Sequence, residues 1–378
     1  MKNIIIAAHK YLPHPDEDLV EYLVNTKRYS VMHIKHSFTD APDRKSYYDW
    51  FSGRKLFKSV KTADYSFLPE VLIYFKELIF TFYWTISSKQ KWDVFIGMDG
   101  LMTFFGIILR NLGFCRKVIY WSIDFVPERR FGSALKNKIY NFVNKYSYIN
   151  SDENWDLSPR MAGARKKYMN LNSQRKKSKI VPFGVWTNQI KQVPYKNAEK
   201  NTLVFMGHLI PEKGVEMVLE NIYEIVKKVP EFKFKIIGDG SHKKKLIKLA
   251  KELKVYRYCN FLGQIKSSDK MLKEIAKSAV AIAPYPDTSY ARWADPGKVK
   301  TYLAAGVPVL LTDVPWNAVE IEKEKCGLIV KNNGRDLVEK VVKILNPKNN
   351  QKYRNNAINY SRNFDYKNIF SGIEMEKT

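Results

Sequence analysis

Two lysines stand where the sequence can hold phosphate. Lys213 closes the segment FMGHLIPEKG (205–214), and Lys298 lies in WADPGKVKTYLAAGVPVLLTD (293–313). Each falls where a short loop gives way to a helix. The first amides of a helix have no intrahelical partner, and the helix dipole favours negative charge there. An ammonium beside such amides suits a phosphate. Gly207 ends the strand before the first loop and lets a ligand approach the backbone. A second strand runs into IIGDG (236–240), where Gly238 and Gly240 permit positive φ. In the third segment Asp295 is placed to cap the helix, Pro296 suits its first position, and Gly297 and Lys298 fill its first turn. Plain packing is the competing explanation for each segment taken alone. It accounts for the caps but not for Gly-Lys in a helix's first turn.

Those segments need strands and helices to carry them. Short apolar runs alternate with longer amphipathic ones, the pattern of βαβ units and a parallel sheet. In the first half the strand candidates are 3–8, 29–35, 92–97, 117–123 and 179–183. Pro13 and Pro15 break the chain there, and Asp16 is placed to cap a helix through DLVEYLV. The second half restarts the pattern, with strands at 201–207, 232–238, 280–285, 307–312 and 327–330 and a short one in NFLGQ (260–264). Helices fit at 214–228, 241–254, 268–277, 296–305 and 335–345. The expected architecture is α/β: two Rossmann-like, doubly wound parallel-sheet domains facing a cleft. The expected boundaries are a first domain over 1–184, a linker over 185–200, a second domain over 201–353, and a last helix over 354–378 crossing back to the first domain.

Composition bounds the function. The 378 residues are 45% apolar, which excludes a disordered chain. Lys and Arg number 64 against 38 Asp and Glu, a formal charge of +26. The excess is spread along the chain, and no helix-turn-helix, zinc-finger or RNA-recognition signature accompanies it, so a nucleic-acid partner is not expected. Cys115, Cys259 and Cys326 have no paired spacing, which excludes a disulfide framework or thiolate zinc site and suits a reducing compartment. No apolar run reaches the roughly 18–20 residues of a membrane span. MKNIIIAAHK has too short an apolar core for a signal peptide. The expected location is the cytoplasm, with peripheral contact on the inner face of the membrane. Residues 157–198 hold no acid, RMAGARKKYMNLNSQRKKSK (160–179) carries eight Lys or Arg, and the stretch 65–86 is aromatic-rich. Together these suit an anionic lipid surface.

The order FMGHLIPEKG, IIGDG, NFLG, APYP, DPGKVKTYLAAGVPVL and CGLIV resembles the nucleotide-binding half of GT-B glycosyltransferases of the large retaining family 4, or group 1. YWSIDFVPERRF (120–131) and ENWDLSPRM (153–161) resemble the acceptor half of some bacterial polysaccharide glycosyltransferases. The resemblance implies that Gly207, His208 and Lys213 hold the donor diphosphate, with His208 where the family has arginine. It implies that Pro296, Lys298 and Thr301 occupy the family's Pro-x-Lys-x-x-Glu helix start, with Thr301 where a glutamate bonds the ribose. The second family carboxylate falls on Trp293, and Asp287 and Asp295 are the nearby acids.

On the acceptor side Asp124 follows the strand KVIYWSI and should sit at its carboxyl end. In the resembling family this region carries a His or Asp that touches the transferred sugar or the acceptor. Arg129 and Arg130 follow it. His9 and Lys10 read as an ordinary polar βα loop, and Asp16, Glu17 and Asp18 as the acidic first turn of a helix rather than a metal site. The expected function is transfer of a sugar from a UDP- or GDP-linked donor to a saccharide or lipid-linked acceptor, retaining and metal-independent. Asp124, Lys213 and Lys298 carry the chemistry, and no cofactor beyond the donor is expected. The alternatives are an impaired paralogue acting as a scaffold, or a basic nucleic-acid binder.

Overall fold

NIIIAA reads as an inner strand because all of its apolar residues must be covered on both faces, and Ile4, Ile5 and Ile6 are fully buried. They lie in β1 (Lys2–Lys10), flanked by parallel neighbours on both sides. The computed structural model describes residues 1–10, 14–37, 45–127, 130–171, 178–331 and 333–373. Pro13, Arg129 and part of the basic run 160–179 lie outside the described residues. The chain divides into two units, Phe183–Ile369 and the remainder, the described residues from Phe370 on grouping with the first unit.

The first unit is built on eight strands: β1, β2 (Tyr29–Ser37), β3 (Ser46–Ser52), β4 (Lys55–Lys61), β5 (Trp92–Gly97), β6 (Cys115–Ser122), β7 (Glu153–Asp156) and β8 (Lys179–Ile180). Their order is β4-β3-β2-β1-β5-β6-β7-β8. All pairs are parallel except β2–β3 and β3–β4. This corrects the fully parallel expectation. SYYDWFS and KLFKSVK lack a continuous apolar run because they form an edge hairpin, turned at Gly53 with φ +55°, in which β3 is partly buried and β4 is almost wholly exposed. ENWD pairs as β7 although its letters are polar. KIVPF contributes only a two-residue strand.

Helices follow the caps the sequence offers. Asp99 accepts from the amides of Leu101 and Met102 and starts helix Gly100–Asn111. Ser133 and Ser158 start helices Ala134–Asn150 and Pro159–Tyr168. Asp16 does not cap its helix. His14 holds that position, Pro15 begins helix Pro15–Thr26, and the buried Asp16 carboxylate pairs with His14 and with His33 Nε2 at 2.5 Å. The acidic first turn is present, but one of its three acids is an internal anchor.

The second unit is a six-stranded, fully parallel sheet of β9 (Glu199–Met206), β10 (Lys233–Ile237), β11 (Cys259–Gly263), β12 (Ser278–Ala283), β13 (Val309–Thr312) and β14 (Gly327–Val330). The order β11-β10-β9-β12-β13-β14 reverses between β9 and β12. Open α/β sheets bind ligands outside the strand carboxyl ends at such a reversal. Residues 185–200 contain two single-turn 3-10 helices, Thr187–Gln189 and Tyr195–Asn197, and group with the second unit. The last helical stretch begins earlier than expected, as Pro347–Ser361, and a 3-10 turn at Arg362–Phe364 separates it from Tyr366–Ser371. Its Arg354 is buried and donates to the carbonyls of Ser278, Ala276 and Val193. In the first unit the Phe370 ring meets those of Trp121 and Tyr22 at 6.2 and 5.5 Å.

Candidate active site

At the reversal of the second sheet, loops from β9, β10 and β12 come together. Gly207 follows β9 and has φ +150°. A Cβ there would stand 3.2 Å from the Lys298 Nζ. Gly238 follows β10 with φ +141°, and a Cβ would fall 2.0 Å from the Gly207 carbonyl oxygen. No side chain fits either place, so the two loops cross backbone on backbone. Their amides are used in that crossing. Gly207 donates to Ile237, Gly238 to Gly263, and Gly240 to the Asp239 carboxylate. The glycines therefore shape the cradle with their own amides engaged.

Lys298 is the unusual group. It lies in the first turn of helix Gly297–Ala304, whose N-cap residue is Pro296 with no side-chain cap. Its ammonium is buried and has no hydrogen-bond partner among the described residues. It sits over the Phe205 ring at 4.2 Å and the Tyr285 ring at 5.0 Å. Lys213, at the end of the 3-10 turn Pro211–Lys213, faces the same Tyr285 ring at 5.3 Å. Burial, and then the charge of Lys213, hold the Lys298 pKa well below that of an ordinary lysine. Burial also lowers Lys213, with Glu212 opposing. Two cations thus approach one aromatic ring, and for Lys298 the π-faces are the sole compensation shown. An anion of two or more charges would complete the arrangement.

The other donor-side residues divide. Asp295 does not cap the helix. Its Oδ2 accepts from the Phe183 amide at 2.8 Å and the Lys300 Nζ at 2.5 Å, and its Oδ1 from Trp316 Nε1 at 3.0 Å. With both oxygens engaged and buried, Asp295 anchors the approach to the helix, and the helix start stays uncapped. Thr301 is half-buried, and its hydroxyl donates to the Gly297 carbonyl at 3.4 Å. Asp287 is held bidentately by Arg292 at 2.6 and 2.9 Å. Trp293 ends the short helix Ser289–Trp293. His208 is exposed beside Asp239, whose acidity is strengthened first by Lys243 and in smaller part by His208. Sequence reasoning missed Phe205 and Tyr285 as the walls of the lysine pocket. The only signal was an aromatic close to the carboxyl end of each of two neighbouring strands, Phe205 one residue inside β9 and Tyr285 two residues past β12.

In the first unit the polar residues at the strand ends satisfy one another. Asp124 follows β6 and is paired with Arg130, whose guanidinium lies 5.3 Å from the Tyr140 ring. Against the cost of burial, Asp124 holds Arg130 above its ordinary range. His9 is not a loop residue. It lies in β1, buried, with Nδ1 2.7 Å from Asp99 and Nε2 3.1 Å from Glu77. Burial disfavours its charged form, yet Asp99 and Glu77 together raise its pKa to about 10. Burial and the charged His9 and Lys76 push the neighbouring His36 the other way.

A second unit reversing at β9 and β12, following a first α/β unit, is the architecture of the GT-B glycosyltransferases. The chain superposes on sucrose-phosphate synthase from Thermosynechococcus elongatus with a TM-score of 0.73 at 15% identity, covering 99% of this chain and 97% of that one. It superposes on Anabaena HepE in complex with UDP with a TM-score of 0.69 at 14% identity, covering 99% and 98%. At these identities the likeness shows the fold. Residues 187–364 match the family model described as glycosyl transferases group 1. Residues 187–364 thus match the group 1 glycosyltransferases, and the chain as a whole has the GT-B fold. A relative in Methanocaldococcus jannaschii, an uncharacterized glycosyltransferase, is 27% identical over 249 residues, 63% of each chain. The chain thus matches 63% of that curated relative's length.

Proposed function

We propose that the protein transfers a sugar from a UDP- or GDP-linked donor to a hydroxyl of a saccharide or lipid-linked saccharide, in cell-surface polysaccharide or glycolipid synthesis. One observation carries this reading: the buried, unpartnered Lys298 ammonium beside Lys213 at the sheet reversal. A donor diphosphate would bring the negative charge that the Lys298 ammonium lacks among the described residues. The family of residues 187–364 supports the donor class, and HepE was solved with UDP.

In the transfer, the bond from the sugar C1 to the β-phosphate oxygen breaks. A bond from C1 to the acceptor oxygen forms on the same face, which gives retention. The acceptor proton passes to the departing phosphate oxygen. Charge growing on that diphosphate is met by Lys213, Lys298 and the uncapped helix start, with no metal called for in the step. Gly207, His208, Gly297 and Thr301 line the donor side. Asp124, oriented by Arg130, is assigned to the acceptor.

The test is a thermal-shift screen with UDP, GDP, ADP, CMP and dTDP. A nucleotide at 100 times its Kd stabilises the fold by about 2.7 kcal/mol. UDP or GDP should raise the melting temperature, and Lys298→Met should abolish the rise. No shift with any nucleotide overturns the assignment.

A scaffold without turnover is the second reading. It is favoured by Trp293 and Thr301 standing where the family has carboxylates, and by the engagement of Asp295. Nucleotide binding with no sugar released from UDP- or GDP-sugars would select it.

A further inference from the structure

Helices in water turn charge outward and apolar residues inward. Helix Glu70–Ser87 of the first unit does the reverse. Lys76 and Glu77 are 6% and 1% exposed, and Thr81 and Thr85 are no more so. Val71, Phe75, Ile79 and Tyr83 are each more than half exposed. These four recur every fourth residue and form a single stripe, which Leu72 and Ile86 widen. The charged residues have inward employment. Glu77 meets His9 at 3.1 Å, and Lys76 lies 5.5 Å from the Tyr65 ring.

Glu70, at the helix start, pairs with Lys136 near the start of helix Ala134–Asn150. That second helix exposes Leu135, Ile139 and Phe142, again along one face, and its sequence contains no acid. Lys136, Lys138 and Lys145 are exposed among them. Of the twenty large apolar side chains exposed among the described residues, nine belong to these two helices and four to the whole second unit. An apolar face of this extent marks a contact surface.

Charge decides what covers it. A second copy of a chain with a formal charge of +26 would set lysine against lysine. An anionic lipid surface complements both features, apolar stripe and interleaved lysines. No helix among the described residues is long and apolar enough to cross a membrane, so the contact is with the surface. We propose that helices Glu70–Ser87 and Ala134–Asn150 form a docking face for an anionic bilayer, with Phe75, Ile79 and Tyr83 at the headgroup–acyl boundary and Lys138 and Lys145 on lipid phosphates. This face lies in the first unit, and the inference stands without the donor assignment.

The experiment is co-sedimentation of the full chain with phosphatidylcholine vesicles, with and without about one-third phosphatidylglycerol. Binding is expected with phosphatidylglycerol at low salt, and weaker by about tenfold or more on phosphatidylcholine alone or in high salt. The double variant Phe75→Glu/Ile79→Glu should lose about tenfold or more in partition while keeping its melting temperature and its nucleotide-induced shift. Lys138→Glu/Lys145→Glu should lose binding to the anionic vesicles selectively. Tyr83→Trp keeps the apolar face intact, and its emission should move to the blue on adding anionic vesicles. Protein left in the supernatant with anionic vesicles, or an unmoved Tyr83→Trp emission, overturns the proposal. So does a dimer that Phe75→Glu/Ile79→Glu dissociates without any change in vesicle binding.

Discussion

The two units place a buried cation at the same topological point and treat it in opposite ways. In the first unit the sheet reverses between β1 and β5, and His9 stands there between Asp99 and Glu77. In the second unit the sheet reverses between β9 and β12, and Lys298 stands there over two aromatic rings with a second ammonium nearby. The first arrangement is neutralised from within. In the second, the Lys298 ammonium has no acidic partner among the described residues. Asp124 repeats the pattern of its own unit, because Arg130 already balances it. The contrast supports the proposed placing of a donor pyrophosphate in the second unit and an acceptor hydroxyl in the first. It also separates the two buried lysines of one helix. Lys300 is paired with Asp295, whereas Lys298 has no hydrogen-bond partner among the described residues.

The largest effect should come from breaking the paired lysine. Asp295→Ala leaves the buried Lys300 ammonium with only the Phe183 carbonyl, and removing one member of a buried pair costs about 3–5 kcal/mol. Urea unfolding should show that loss. Retained stability with lost turnover would instead return Asp295 to the donor site. Lys298→Met should do the reverse. Removing a cation that stabilises the leaving diphosphate should lower kcat/KM by about 10²–10³-fold, as for loss of one preorganised donor. The free protein should not lose stability, since a buried polar group without a partner costs about 1–3 kcal/mol and methionine removes it. The sign follows from the lowered pKa: a lysine ammonium is favoured in the unfolded chain, so its burial penalises folding at neutral pH. Lys298→Met that melts lower than wild type and still turns over would show an ordinary packing lysine.

How much of this was legible depended on where the chemistry was local. The parallel core was legible because strands such as WDVFIG and GLIV are continuous apolar runs, and both strands occur as read. Lys213 and Lys298 were legible because a lysine at a loop-to-helix junction has a local signature. The β3–β4 hairpin was not, because β4 is exposed on both faces and so carries no apolar alternation. Asp295 was misread because Asp-Pro before a helix is a cap signal, and its real partners, Phe183 and Trp316, are distant in sequence. The His9 cluster drew three partners from three separate elements: Glu77 from a helix, Asp99 from a helix cap and His36 from β2. No spacing rule links them. The inverted helix Glu70–Ser87 looked like a broken apolar run, since Glu70, Lys76 and Glu77 interrupt it. Which face they occupy is a fact of packing alone.

The smallest effect tests the neutralised half of the contrast. His9 has a pKa of about 10 in the fold against 6.5 unfolded. A group whose folded pKa is raised gives stability that is full below the unfolded value and is lost as pH climbs to the folded one. The wild type should therefore weaken progressively from about pH 6.5 to about pH 10, read as a falling urea midpoint. His9→Gln keeps an amide donor for one carboxylate but brings no charge. It should be flat through that window and less stable than wild type at neutral pH. A wild-type midpoint that holds steady between about pH 7 and 10 would mean that His9 is not the charged partner of both acids. The two halves of the molecule would then differ less than their geometry indicates.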